Sequence, residues 1–198
     1  MYHSAALFSA SAWWPMVYGN FTVESDRLHL KTISEASAAE VLAFLQRNRE
    51  FFRPWEPMRT EEYFTLPRQQ ELLADDALAI ASGTKLKLWL SLKTSAAIVG
   101  YVHFSNIVRG AFQSCFLSYA LDKEENGKGY MTEALMTATR ILFHYEGLHR
   151  IEANVMPGNA RSIRLLERAG FHNEGMSKRY LKINGVWEDH THMVLLNE

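Results

Sequence analysis

Ser114-Cys115-Phe116-Leu117-Ser118-Tyr119-Ala120-Leu121 leads, after four residues, into Asn126-Gly127-Lys128-Gly129-Tyr130-Met131-Thr132-Glu133-Ala134-Leu135, and the fold is read outward from this pair of segments. The first is an apolar, aromatic-rich run of the length and character of a buried strand. The second is a tight glycine turn running straight into an amphipathic helix. Strand, glycine turn and helix N-terminus together aim several backbone N–H groups and the positive end of the helix dipole at one point. An anion, most often a phosphate, is what such a point holds. Lys128 adds a mobile positive charge. Gly127 and Gly129 are equally compatible with a plain strand-to-helix turn that holds no ligand. A nucleoside triphosphate loop is excluded, because it needs Lys after the second glycine and a hydroxyl residue next, whereas Lys128 lies between the glycines and Tyr130 follows them.

Beyond this turn, the spacing predicts a helix from Tyr130 to Tyr145 that ends at Gly147, then a strand over Arg150 to Val155. The simplest path is a right-handed crossover that makes the two strands parallel. Asn159 caps a short helix, Ala160 to Ala169, which Gly170 closes. Asn184-Gly185 is a type I′ hairpin signal between the runs Phe171 to Ile183 and Val186 to Leu196.

Toward the N-terminus, Arg27 to Ile33 alternates as a first strand. Ser37 with Glu40 forms a capping box for a helix reaching about Arg49. In Phe51 to Met58, Pro54 and Pro57 forbid a regular element, and four large apolar side chains there pack on the core or line a groove. A second helix starts at Pro67 and stops at Gly83. Leu86 to Leu92, Ile98 to Ile107 and Phe112 to Leu121 follow as an antiparallel meander. The expected class is α+β (mixed α/β): a central mixed, mostly antiparallel sheet of about seven strands with flanking helices. A cleft opens between the fourth strand (112–121) and the fifth (150–155), and the glycine turn and Asn159 lie at the carboxyl ends of these two strands, where ligands of open sheets settle.

The chain has 198 residues, 47% of them apolar, enough for one sizeable core, and its net charge of −1 offers no electrostatic footprint for nucleic acid or an anionic membrane. Residues 1–20 are an apolar, aromatic extension without the basic stretch of a signal peptide, and 21–198 form the domain. No apolar run is long enough to span a bilayer. A single cysteine, Cys115, excludes an intramolecular disulfide and fits a cytoplasmic protein. Cys115 reads as inert core. His190 and His192 share one face of the last strand but lack a third ligand, so no metal is expected.

The order of strand, Asn-Gly-Lys-Gly-Tyr-Met, helix, strand, Asn159-Ala160-Arg161-Ser162 and Ala169-Gly170-Phe171 resembles the GNAT superfamily of acyl-CoA-dependent N-acetyltransferases. Asp26-Arg27-Leu28, Phe52-Arg53-Pro54-Trp55-Glu56-Pro57, Phe104 to Gly110 and His149-Arg150-Ile151 are similar to the ribosomal-protein-alanine N-acetyltransferases in particular. This resemblance implies acetyl-CoA as cofactor, with the coenzyme A pyrophosphate on the amides of Asn126, Gly127, Lys128, Gly129, Tyr130 and Met131. The family pattern Gln/Arg-x-x-Gly-x-Gly/Ala has Asn126 and Met131 at its ends here, and neither change removes a backbone donor. The resemblance also implies backbone pairing of the pantetheine with Tyr119 and Leu121, Asn159 and Ser162 at the thiol end, and an acceptor side formed by Phe52, Trp55, Asn106 and Tyr180.

Acetyl transfer to an amine needs a neutral nucleophile, donors for the oxyanion and a proton for the thiolate. Related enzymes place Tyr or Ser near the thiol, which makes Ser162 the proton donor; by spacing alone it is the residue whose N–H the Asn159 cap accepts. Glu56, or Glu152 through water, is the candidate base. No Asp or Glu lies in Ser114 to Leu121, where many relatives carry the base. An α-amine of pKa ~8 is partly neutral near pH 7.5, whereas a lysine of ~10.4 is almost wholly charged, so a protein N-terminus, as in a ribosomal protein, is the favoured acceptor of a monomer or homodimer. The alternatives are acetylation of a small amine (antibiotic, polyamine or toxic peptide-nucleotide) and a non-catalytic module that binds acyl-CoA or the ribosome.

Overall fold

The computed structural model describes residues 21–198, in the order β1 (Thr22–Glu24), β2 (Leu28–Lys31), α1 (Ala38–Phe52), α2 (Leu66–Ala81), β3 (Leu86–Leu92), β4 (Ile98–Val108), β5 (Ser114–Leu121), α3 (Tyr130–Glu146), β6 (Arg150–Val155), α4 (Ala160–Arg168), β7 (His172–Ile183) and β8 (Val186–Leu196). The strands form one sheet in the order β1-β2-β3-β4-β5-β6-β8-β7. Every neighbouring pair is antiparallel except β5 and β6, which the α3 crossover makes parallel. That pair is short: only Ser114, Cys115 and Phe116 meet Arg150, Ile151 and Glu152. Beyond Phe116 and Glu152 the two strands part, while β4 holds β5 as far as Leu121 and β8 holds β6 as far as Val155. The expected cleft is this gap.

One face of the sheet buries Leu88, Val102, Phe104 and Ile151 against Leu135 and Leu142 of α3 and Leu166 of α4. The other packs Trp89, Ile98 and Ala120 against Phe44 and Leu45 of α1 and Leu73 of α2. A ligand held in the gap therefore has access to both layers. The turn between β7 and β8 has φ of 46° at Asn184 and 85° at Gly185, as a type I′ hairpin needs.

Several sequence expectations change. The described sheet has eight strands rather than about seven, because Thr22–Glu24 pairs with β2; three residues are too few to show a period. Ser37 makes no side-chain capping bond: it closes a 3-10 turn over Glu35–Ser37 that leads into α1, so its hydroxyl does not reach the helix amides. The segment expected to be irregular begins as the last turn of α1, which runs to Phe52, and continues as a 3-10 turn over Arg53–Trp55. Pro54 sits in that turn's first positions, where no N–H is needed. β5 starts at Ser114 rather than Phe112, since Gln113 has a φ of 40° and gives its carbonyl to the amides of His149 and Arg150.

Candidate active site

The glycine loop is built to leave amides free. Gly127 and Gly129 have φ of 82° and 83°, a left-handed conformation that other residues adopt at a cost of about 1–2 kcal/mol. Among the described residues no backbone carbonyl accepts the N–H of Gly127, Lys128 or Gly129. The first turn of α3 adds amides that have no partner within the helix. Arg27 braces this loop from the other end of the domain: its Nη1 donates to Lys128 O at 2.9 Å, its Nε to Glu133 Oε2 at 2.7 Å, and its guanidinium lies 4.6 Å from the centre of the Tyr130 ring. Glu133 Oε1 also accepts from Arg27 N and Ser25 Oγ, each at 2.7 Å. Burial pushes the Glu133 carboxyl up, but these hydrogen bonds outweigh it and hold the group below its ordinary value.

Two side chains of the loop are turned away from that role. Lys128 Nζ donates to Glu125 at 3.0 Å on the surface, so the positive potential comes from the backbone and not from a mobile lysine. Asn126 Nδ2 donates to Asp122 O at 2.8 Å and Lys123 O at 3.3 Å, shaping the turn. Arg47 of α1 grips Asp122 from outside. Alongside lies a groove of about 1140 Å³ lined by Leu121, Gly127, Gly129, Tyr130, Met131 and four arginines, Arg140 of α3 and Arg161, Arg164 and Arg168 of α4. The three arginines of α4 recur at i, i+3 and i+7, a one-sided stripe visible in the sequence that the reading of motifs passed over.

At the gap, Asp122 N–H donates to Val99 O at 2.7 Å, which sets the phase of the ladder. Bonded pairs alternate in an antiparallel ladder, so Leu117, Tyr119 and Leu121 direct their N–H and C=O groups away from β4, into the gap. The Tyr119 side chain adds what the sequence did not suggest: its Oη lies 2.6 Å from Ser162 Oγ. Burial pushes the Tyr119 phenol up to about 12, with the Ser162 hydrogen bond acting the other way, so the phenol keeps its proton at neutral pH. Asn159 Oδ1 accepts from Ser162 N at 3.1 Å, making Asn159 the cap of α4. Tyr119, Asn159 and Ser162 thus meet at one end of the gap.

The acceptor-side residues do not form one cluster. Phe52 and Glu56 line a cavity of about 310 Å³ with Met58, Tyr63, Phe64 and Asn184 of the β7–β8 turn. Burial raises the Glu56 carboxyl above its ordinary value, opposed by Arg59, Lys87 and a hydrogen bond from Tyr101. Trp55, 41% exposed, and Asn106, in a β4 bulge with a φ of 50°, do not line this cavity. Tyr180 stands elsewhere, edge-on to His192 with ring centres 5.1 Å apart. Glu152, the last β6 residue to face β5, accepts from Arg150 at 2.9 Å and bonds His192 at 3.0 Å. Burial pushes Glu152 up, yet these two partners hold it below its ordinary value. Cys115 is buried, its thiol pushed up to about 12 by desolvation. Among the described residues no group of three or more His, Cys, Asp or Glu could hold a metal ion, and no helix is long and apolar enough to cross a membrane.

Residues 27–172 match the family described as acetyltransferase (GNAT) domain. The chain is 38% identical over 170 residues to the probable N-acetyltransferase YjcK of Bacillus subtilis, covering 86% of this chain and 94% of that protein. It is likewise 38% identical over 166 residues to the ribosomal protein uS5-alanine N-acetyltransferase of Escherichia coli, covering 84% and 86%. The crystal structure of the ribosomal-protein-S5-alanine acetyltransferase of Vibrio fischeri superposes with a TM-score of 0.86 at 32% identity, over 90% of this chain and 97% of that one.

Proposed function

As the chain belongs to the acetyltransferase (GNAT) family, whose donor is acetyl-CoA, we propose that it acetylates a protein N-terminal α-amine, that of a ribosomal-protein alanine, by direct attack in a ternary complex. The observation that carries this reading is the parting of β5 and β6 after Phe116 and Glu152, with the Tyr119–Ser162 pair at one side of the opening. The residues present fit the donor. The amides of Gly127, Lys128 and Gly129 suit a pyrophosphate, the backbone edge at Tyr119 and Leu121 suits an amide-bearing pantetheine, and the arginines of α3 and α4 suit the remaining phosphate. When bound, acetyl-CoA supplies an activated acetyl thioester.

The protein's own share is then positional and protonic. Ser162 Oγ, hydrogen-bonded to the Tyr119 phenol, holds the proton that a leaving thiolate requires. β5 carries no carboxylate, which suits an amine that is already partly neutral, pKa ~8 for an N-terminus against ~10.4 for lysine. The relatives named for ribosomal-protein alanine support the same acceptor. Mass spectrometry of short peptides beginning with Ala, Ser or Met, beside an N-blocked lysine peptide, tests the reading. One added acetyl on the Ala or Ser peptides and none on the lysine peptide is the expected result; modification of the lysine peptide alone overturns it.

A further inference from the structure

Side chains of β5 alternate between the two faces of the sheet. Tyr119 faces α3 and α4, where it meets Ser162; Ser118 and Ala120 face the other way, and Ala120 packs with Phe44 of α1. Because β6 leaves β5 after Phe116, Ser118 is the first residue past the parting to stand on the α1–α2 face, and it is exposed. Its partner in register on β4 is His103, whose Nδ1 lies 3.3 Å from Ser118 Oγ. His103 Nε2 is buried and has no hydrogen-bond partner among the described residues. A protonated imidazole carries a proton on both nitrogens, and one on Nε2 would meet no acceptor. Burial, Lys87 from the facing position of β3 and Lys85, opposed by Asp76, bring the His103 imidazole down to about 4, so it is neutral at working pH. In either neutral tautomer a hydroxyl that shares one hydrogen bond with Nδ1 keeps a lone pair free. Tyr101, two residues before His103, bonds Glu56. The carboxylates around this face are each already held by a cation. Asp76 of α2 accepts from Lys85 at 2.7 Å and from Lys87 at 3.1 Å, Glu56 lies 3.9 Å from Arg59, and Glu152 accepts from Arg150 at 2.9 Å. None of the three is left to hold an ammonium group.

We propose that Ser118 Oγ, backed by His103, is the uncharged acceptor that receives a hydrogen bond from the incoming amine, so that the site takes the amine in its neutral form. The inference rests on the acetyl-transfer reading above and adds the group that positions the nucleophile and sets its class. The donor's arm along Tyr119 and Leu121, with its thiol end at Ser162, fills the gap from the α3–α4 side. An amine attacking the acetyl carbon enters from the opposite face, where Ser118 stands one residue, about 3.3 Å of strand, from Tyr119. Ser118 touches the amine; His103 is a positioning residue that acts through it. No proton passes to the imidazole, which is too weak a base to keep one at neutral pH. A hydroxyl accepts from a neutral amine without stabilising its cation, whereas a carboxylate in the same place would favour the ammonium form, which has no lone pair to attack with. The preferred acceptors are therefore amines of low pKa, an α-amine of ~8 before an alkylamine such as lysine of ~10.4.

The test measures acetyl transfer from acetyl-CoA between pH 6 and 9 to an alanyl peptide and to spermidine, beside acetyl-CoA binding by calorimetry. Ser118→Ala should lower kcat/KM for the peptide about ten-fold, with acetyl-CoA affinity within about two-fold of wild type. Ser118→Asp should raise the ratio of spermidine to peptide turnover by about ten-fold and move the kcat limb of the peptide to higher pH, because a carboxylate stabilises the bound ammonium. His103→Leu should lose as much as Ser118→Ala. His103→Gln, which restores a hydrogen bond to the hydroxyl, should lose less and keep the kcat limb where wild type has it. Ser118→Ala indistinguishable from wild type on both acceptors, or a Ser118→Asp ratio and limb that do not move, overturns this assignment and leaves the acetyl-transfer reading standing. Transfer by wild type to spermidine alone, or to neither amine, overturns both.

Discussion

Tyr119 Oη and Ser162 Oγ stand 2.6 Å apart, joining β5 to the first turn of α4 across the opening between the parted strands. A phenol pushed up to about 12 does not ionise near neutrality, so the pair always holds a proton to give. Ser162→Ala should lower kcat by about 10²-fold while leaving the KM for acetyl-CoA within a few-fold. Tyr119→Phe should lose less, because the serine hydroxyl remains. The double variant should lose no more than Ser162→Ala alone, as expected of groups acting as one unit; steady-state kinetics on all three variants checks this.

Gly127 and Gly129 share a left-handed backbone but differ in their surroundings. A Cβ at Gly127 meets nothing within 4 Å, whereas at Gly129 it comes 3.3 Å from Arg27 Nη2. Each Gly→Ala change should cost about 1–2 kcal/mol of stability, a Tm fall of about 3–6 °C. Only Gly129→Ala should also loosen Arg27 from the loop. Calorimetry should therefore find acetyl-CoA binding weakened more by Gly129→Ala than by Gly127→Ala.

Glu56 carries a carboxyl raised by burial. The linkage has a definite sign: a raised folded-state value makes its contribution to stability present below the unfolded value of about 4.3 and lost as pH rises through the folded value. Glu56→Gln, which mimics the neutral form, should thus melt above wild type at pH 7, and the two curves should converge as pH falls toward 4. If Glu56 is in addition a base, the same variant loses kcat; retention of kcat removes it from the reaction and leaves it as a wall of the cavity with Phe52.

Cys115 packs in the core between β4 and β6 with its thiol pushed up to about 12, which excludes a thiolate nucleophile at working pH. Cys115→Ala should keep kcat within about two-fold and lower stability by about 1–2 kcal/mol. No acetyl-enzyme should appear when wild type is mixed with acetyl-CoA alone and examined by intact mass.

The central unit was legible because its signals are local. Gly127, Gly129 and Gly147 punctuate the chain where φ is positive, Asn159 caps α4 as its spacing implied, and Asn184-Gly185 turns β7 into β8. The parallel pairing of β5 and β6 followed from the helix that joins them, which returns the chain to run in the same direction. Features made by pairing over distance were hidden. β1 exists only through its contact with β2. Ser37 and Glu40 matched a capping pattern, but a preceding 3-10 turn took over the helix start. In the candidate site, the backbone positions at Tyr119 and Leu121 could be placed by phase, but the Tyr119 hydroxyl meets a residue 43 positions away and Glu152 meets His192 at a separation of 40. Such contacts carry no period in the sequence. The extension over residues 1–20 lies outside the described residues.

Arg27 and Glu133 are separated by 106 positions along the chain and bonded in the fold. These bonds tie the β1–β2 turn to the glycine loop. A ligand at 100 times its Kd stabilises the folded form by about 2.7 kcal/mol. On adding coenzyme A, hydrogen exchange should slow at Ser25, Arg27 and Leu28 as well as in the glycine loop. Glu133→Gln should uncouple the two, leaving protection in the loop and none in the turn, so that the first strands of the sheet serve as a remote gauge of whether the loop is occupied.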